Sequence, residues 1–260
     1  PMPVPTPTLP ARTAPASMTR HDTAWLLGGL ALWLLATVWL RPLMLPDEGR
    51  YVGVAYAMLH GDALVPRLHG LPYFHKPPLM YWIDAAAMAL FGVHEAAARL
   101  APAIGAWLMG AAIFLDLRRR VGLREAAIAL GVLATCPFFF VGGQFANLDM
   151  LVAGLVTAAI VLAARSAEAD DARSAQRAAV AAWAFAGFAV LAKGLIGVVL
   201  PGLVLLPWLV AQRRARAVLR LLDPLALGVA ALIVLPWFTA MALRFPGFLD
   251  YFFLEQHVRR

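Results

Sequence analysis

Tyr73 to Trp82, YFHKPPLMYW, sets a lysine, a histidine and two prolines among aromatic residues. Lys76 is one of two lysines in a chain with twenty arginines; the other, Lys193, lies in LAKGLIG. Further cations, Arg50 and Arg67, and three acids complete a chemically able set: Asp47 and Glu48 open PDEGRYVGVAYAMLHGD, and Asp149 closes GGQFANLD. A carboxylate can take a proton from an acceptor hydroxyl, and lysine and arginine can stabilise the charge developing on a phosphate leaving group. The two kinds of group together suit transfer from a phosphate ester. His75 and His257, with a carboxylate such as Glu255, have the chemistry to hold a zinc-like divalent ion, although no spacing fixes their geometry. Each residue also has a simpler use. Asp47 and Asp149 precede helical patterns and suit N-caps, and the cations suit snorkelling anchors at helix ends.

The elements that must position these groups are membrane helices. The 260 residues are 62% hydrophobic and 14% charged, against about 45–50% and about 25% in soluble domains. Mean hydropathy is +0.75. The net charge of +7 does not mark a nucleic-acid binder, because the arginines fall in short runs between apolar segments. Cys136 is the single cysteine and reads as a small buried hydrophobe. There is no P-loop, HExxH, CxxC or GxSxG motif, which removes the support for nucleotide-driven and common hydrolytic chemistries.

Residues 1–22 are rich in Pro, Thr and Ala and read as a disordered tail. Apolar segments free of interior charge follow at about 23–40, 100–115, 126–141, 150–164, 178–192, 195–211 and 225–243, giving seven candidate spans in residues 23–260. Segment 79–91 is shorter, carries Asp84 and reads as interfacial or re-entrant. The stretch PDEGRYVGVAYAMLHGD, residues 46–62, places Tyr51, Val52, Ala55, Met58 and Leu59 at helical spacing and reads as an amphipathic helix lying on the membrane.

Arginines precede the first candidate span and fill the connections between spans two and three, four and five, and six and seven. The positive-inside rule puts those connections in the cytoplasm, together with the N-terminus. The alternate connections, about 41–99, 142–149, 193–194 and 244–260, then face outward with all the acids and lysines named above. An external site cannot draw readily on cytoplasmic nucleotide sugars. A lipid-linked sugar phosphate, with its tail in the bilayer, is the natural donor.

The ordered set DE-x-RY, GD, P-x-L-x-G-x-P-Y-F, KPPL-x-YW, FG and RL over residues 46–100 resembles the first external loop of polyprenyl-phosphate-dependent membrane glycosyltransferases, the aminoarabinose transferase and protein O-mannosyltransferase superfamily of GT-C fold. The resemblance implies an all-α integral membrane bundle with external interfacial helices in its first loop. It implies inverting transfer of a sugar from undecaprenyl phosphate to an envelope glycolipid such as lipid A, at the periplasmic face of the bacterial inner membrane. It casts Asp47, Asp149 and Glu48 as the acids of the site, without choosing the base. Arg50, Lys76 and Lys193 would line the donor phosphate pocket, with Tyr51 and Tyr73 nearby. Family members usually carry Glu where this chain has His75, and in the aminoarabinose transferases that Glu resembles a metal ligand paired with a histidine like His257; a His75–His257 pair would have to hold the divalent ion here. Relatives continue into further spans and a periplasmic domain, so the chain is expected to be the N-terminal portion of a longer protein. Protein O-mannosylation is the nearest alternative. A transporter or flippase for lipid-linked sugar would instead place polar residues in mid-span, whereas here they gather at the outer ends.

Overall fold

The computed structural model describes residues 20–256, so the Pro-rich tail, apart from its last three residues, and His257 lie outside the described residues. Helix α1 spans Arg20–Leu35 and begins three residues before the expected tail boundary. Two helices follow before the bundle proper, α2 (Asp47–His60) and α3 (Leu79–Phe91), joined by a two-residue antiparallel hairpin, β1 (Arg67–Leu68) and β2 (Leu71–Pro72). A 3-10 turn (Ala97–Arg99) leads into α4 (Leu100–Val121), followed by α5 (Leu123–Thr135), α6 (Pro137–Gly143), α7 (Asp149–Glu168), α8 (Ala172–Lys193) and α9 (Ile196–Ala211). The short α10 (Val218–Leu221), then α11 (Pro224–Arg244) and a π-helical turn (Asp250–Glu255) complete the described fold. The protein is thus an all-α membrane bundle.

All seven apolar segments are helical, but they differ in length. Among the described residues four helices are long and apolar enough to cross a membrane: Ala97–Val121, Asp149–Glu168, Ala172–Lys193 and Pro224–Arg244. The expected continuous span at 126–141 is broken, with α5 and α6 meeting at 68°. The cause is Pro137, which cannot donate its N–H and drives the preceding Cys136 into an extended conformation. Counted as one crossing, the pair makes a fifth. Helices α1 and α9 have 16 residues each, short of the roughly 20 that a full crossing takes.

The centre of the bundle is the packing of α7 on α4 and α8, lined by Ala101, Leu151, Val152, Leu155, Ala189 and Ala192. Helices α4 and α7 touch backbone to backbone. A Cβ on Gly105 would run into the Met150–Leu151 backbone, and one on Gly154 into the backbone of Gly105. Close approach of this kind is how membrane helices gain contact area without a hydrophobic drive between them.

Helix α2 does not present its apolar face to lipid. Val54, Ala55 and Met58 are buried against Tyr81, Ala87 and Met88 of α3 and against Ala97. The spacing specified an apolar stripe, and α3 supplied a protein surface to cover it.

The connections sort to two ends as the arginine pattern requires. At one end Arg41 donates to the Gln144 carbonyl (2.8 Å), Arg244 pairs with Asp62 (2.9 Å), and Phe74 packs on Phe245 and Phe248. At the other, Arg119 and Arg120 pair with Glu168, and Arg220 donates to the Ala169 carbonyl. The acids and lysines singled out in the sequence all belong to the first end.

Candidate functional site

Asp47 and Asp149 each occupy the first turn of a helix, α2 and α7, but neither is the N-cap. Pro46 and Leu148 hold those positions, and neither makes a side-chain cap bond. The simplest use for the two carboxylates is therefore set aside, and both find cations instead. Asp47 is exposed and bonds Arg50 one turn along α2, at 2.5 Å. Asp149 is 63% exposed and pairs with Lys193, the last residue of α8, at 2.5 Å. Gly194, with φ of +83°, turns the chain immediately after Lys193 and starts the descent into α9.

Tyr51 sits between these pairs. The Arg50 guanidinium lies over its ring, 5.2 Å from the centre. Burial pushes the Tyr51 hydroxyl's pKa up; Arg50 opposes that, and the nearby Tyr73, Asp149 and Asp47 add to it. Burial works against the Arg50 charge, yet Tyr73, Tyr51 and Asp47 outweigh it and hold its pKa above the ordinary value. One electrostatic neighbourhood thus joins Asp47, Arg50, Tyr51, Tyr73 and Asp149, and through Asp149 it reaches Lys193. The Tyr51 ring stacks on Tyr81 of α3 at 6.3 Å. Two polar atoms here are buried without a hydrogen-bond partner: Arg50 Nε and the Tyr81 hydroxyl. Buried groups of this kind are normally satisfied, so two unmet ones in one neighbourhood are uncommon.

Lys76 is half-buried in the turn between Tyr73 and α3, just ahead of the buried Pro77 and Pro78. His75 lies 4.5 Å from the Tyr73 ring and 6.1 Å from Tyr251, between rings. Among the described residues no group of three His, Cys, Asp or Glu side chains is placed to hold a metal ion. His257 is outside those residues.

Glu48 differs from the other two acids. It is fully buried, and its oxygens accept from Arg41 (2.5 and 3.0 Å), Arg99 (2.8 and 3.1 Å) and the amides of Met44 and Ala146 (2.8 Å each). Burial pushes its pKa up, but the bonds from Arg99, Arg41, Ala146 and Met44 outweigh it and bring the carboxyl down from 4.5 to about 2. Every acceptor direction is occupied, which leaves none for an acceptor hydroxyl. Glu48 therefore ties the start of α2 to the turn before α4 and to the loop that ends at Asp149. Arg99, fully buried, completes the knot by donating to the carbonyls of Val38, Arg41 and Pro42. The sequence reading included Arg99 within the RL pair but gave it no role. The signal that could have found it is its place, with Arg41, Arg50 and Arg67, in the connection that the positive-inside rule assigns to the outer face, where arginine is disfavoured.

The all-helical membrane bundle gathers acids and cations at one end, under a first loop that carries α2 and α3, and a family model and two solved structures place it in the GT-C superfamily. Within it the chain belongs to the family described as dolichyl-phosphate-mannose-protein mannosyltransferase, whose model matches residues 75–240. It is 33% identical over 257 residues to the undecaprenyl phosphate-alpha-4-amino-4-deoxy-L-arabinose arabinosyl transferase of Pseudomonas savastanoi pv. phaseolicola, with 92% of this chain and 45% of that protein covered. The Erwinia tasmaniensis protein of the same name is 34% identical over 239 residues, covering 88% and 42%. The crystal structure of ArnT from Cupriavidus metallidurans bound to undecaprenyl phosphate superposes with a TM-score of 0.86 at 33% identity, covering 93% of this chain and 45% of that one. The apo form of the same protein gives 0.82. The chain spans a little under half the length of these relatives.

Proposed function

We propose that this chain carries the donor-binding and catalytic end of a glycosyltransferase that moves a sugar from polyprenyl phosphate to an envelope glycolipid at the periplasmic face of the bacterial inner membrane. The observation that carries the reading is the Arg50 Nε, buried and without a partner, beside Asp47 in a neighbourhood shared with Asp149 and Lys193. A phosphate at headgroup depth would take that donor. Lys193 and Lys76 would add charge-assisted bonds, and Tyr51 and Tyr73 would wall the pocket.

Asp47 is the general base. It is exposed to an incoming acceptor, and its ion-pair partner Arg50 belongs to the phosphate-binding set. It takes the proton from the acceptor hydroxyl as the new glycosidic bond forms on the face opposite the departing phosphate, which inverts the anomeric centre. The cations stabilise the charge that develops on the leaving phosphate. Asp149 orients Lys193, and Glu48 holds the frame from which Asp47 and Asp149 project. The relative crystallised with undecaprenyl phosphate supports the donor class, and the names of the curated relatives support an aminoarabinose-like sugar.

The test is transfer of radiolabelled sugar from bacterial polyprenyl-phosphate donors to envelope lipids, in membranes bearing the full-length protein or its Asp47→Asn and Lys76→Ala variants. Label reaching lipid A with the wild type alone is the expected result. Equal labelling with all three proteins would remove the roles given to Asp47 and Lys76. Label reaching protein instead of lipid would transfer the assignment to O-glycosylation, the activity named in the family description.

A further inference from the structure

The end of the bundle opposite Asp47 holds a second feature. Helices α7, α8 and α9 diverge around an apolar cavity of about 200 Å³, lined by Ala182, Trp183, Pro201, Gly202, Leu206 and Leu221 among others. Its floor is α10, held by the Trp183 indole donating to the Leu221 carbonyl at 2.6 Å. A Cβ at Gly202 would meet nothing within 4 Å, so the groove is open on the α9 side.

Four arginines, 213, 214, 216 and 220, lie in the segment that forms this floor. Two have protein partners. Arg214 donates to the Ala167 carbonyl and Arg220 to those of Ser166 and Ala169, which closes the C-terminal end of α7. Arg213 and Arg216 are exposed, and among the described residues their guanidinium groups make no hydrogen bond or ion pair. The acids that cap neighbouring helices are engaged elsewhere: Asp171 accepts from the Ser174 amide, and Asp223 from Gln176 and from the amides of Leu225 and Ala226. Leu219 and Leu222 are 71% and 52% exposed on the same segment. An apolar groove that ends in two unneutralised arginines and two exposed leucines has the layout of one lipid molecule, chain above and anionic head below.

We propose that this groove is a structural site for an anionic phospholipid of the leaflet opposite the donor end, with one acyl chain between α8 and α9 and its phosphate on Arg213 and Arg216. The site is independent of the donor pocket and of the reaction assigned to it.

The experiment is native mass spectrometry of the full-length protein in mild detergent, titrated with dioleoyl phosphatidylglycerol or dioleoyl phosphatidylcholine. The wild type should retain phosphatidylglycerol preferentially. The double variant Arg213→Ala/Arg216→Ala should bind it roughly tenfold more weakly, the scale of a lost charge-assisted bond. Gly202→Phe, which fills the open side of the groove, should lower retention of the dioleoyl lipid while leaving short-chain dihexanoyl phosphatidylglycerol unaffected. Lys193→Ala should change neither, since a lipid held at the donor end would respond to it. Equal retention of the two headgroups by the wild type, or unchanged retention in the arginine variant, would overturn the proposal. So would unchanged dioleoyl retention in Gly202→Phe, the result expected if another segment of the protein fills the groove.

Discussion

Replacing Glu48 by Gln keeps the shape of the side chain and removes its charge. The amide would offer two N–H donors to Arg99, Arg41 and the amides of Met44 and Ala146, all of which are donors already. Two routes give the size of the effect. The carboxyl stands at about 2 in the fold against 4.5 unperturbed, and at about 1.4 kcal/mol per unit that difference amounts to roughly 3 kcal/mol. Removing one partner of a buried ion pair typically destabilises by about 3–5 kcal/mol, because the remaining charge is stranded; here it is Arg99, with no exposed surface. Unfolding of the full-length protein by SDS in mixed micelles, followed by tryptophan fluorescence, should show a loss of that order. Glu48→Asp, which keeps the charge on a shorter stem, should recover part of it. Transfer by folded Glu48→Gln should fall through misplacement of both Asp47 and Asp149 and recover in step with stability in Glu48→Asp. Unchanged stability in Glu48→Gln, with transfer abolished, would refute the argument and return Glu48 to the chemistry.

The same group sets an acid limit. Its pKa is depressed on folding, so its contribution is complete above about 4.5 and is lost as pH falls toward about 2; a pH series of SDS unfolding should show the wild type, but not Glu48→Gln, losing this increment across that interval. Asp47→Asn should abolish transfer while leaving retention of undecaprenyl phosphate within about twofold, measured by native mass spectrometry. Lys193→Ala should weaken donor retention roughly tenfold, on the scale of a charge-assisted phosphate contact, and show mainly as a raised KM for the donor. Gly154→Leu, which drives a side chain into the Gly105 backbone, should lower stability by more than 2 kcal/mol, whereas Gly228→Ala, at a position with nothing within 4 Å, should be silent.

Legibility in the sequence followed the strength of each physical signal. The helical segments and the division of loops between two ends were readable because hydropathy and arginine placement are set by the bilayer, which acts on every residue alike. The Asp149–Lys193 pair was legible only as two residues at outer helix ends; their contact depends on α7 and α8 packing, which no local pattern encodes. The break at Pro137 was printed in the sequence but masked by the apolar run around it. Helix α2 was legible as an apolar stripe within residues 46–62, but the α3 surface that covers it was not, because an apolar stripe does not say whether lipid or protein will cover it. Glu48 was the hardest case. Adjacent to Asp47 and identical in charge, it differs by pointing inward to Arg99, 51 residues away, and a one-residue step along a helix is enough to turn a side chain by about 100° from the open face to the core.

Gly105 and Gly154 bear on more than packing. Helices α4 and α7 both begin at the end that carries the candidate site, at Leu100 and Asp149, and they cross five residues in, about 8 Å along the axis from those starts. Arg99, which grips Glu48, stands at the head of one helix, and Asp149 stands at the head of the other. The missing methyl groups at the crossing therefore act as a spacer gauge: whatever thickness is added there is passed almost undiminished to the gap between the frame that carries Asp47 and the helix that carries Asp149. Tolerances at the reacting centre would then be set inside the bilayer, by two residues with no side chain and no chemistry of their own.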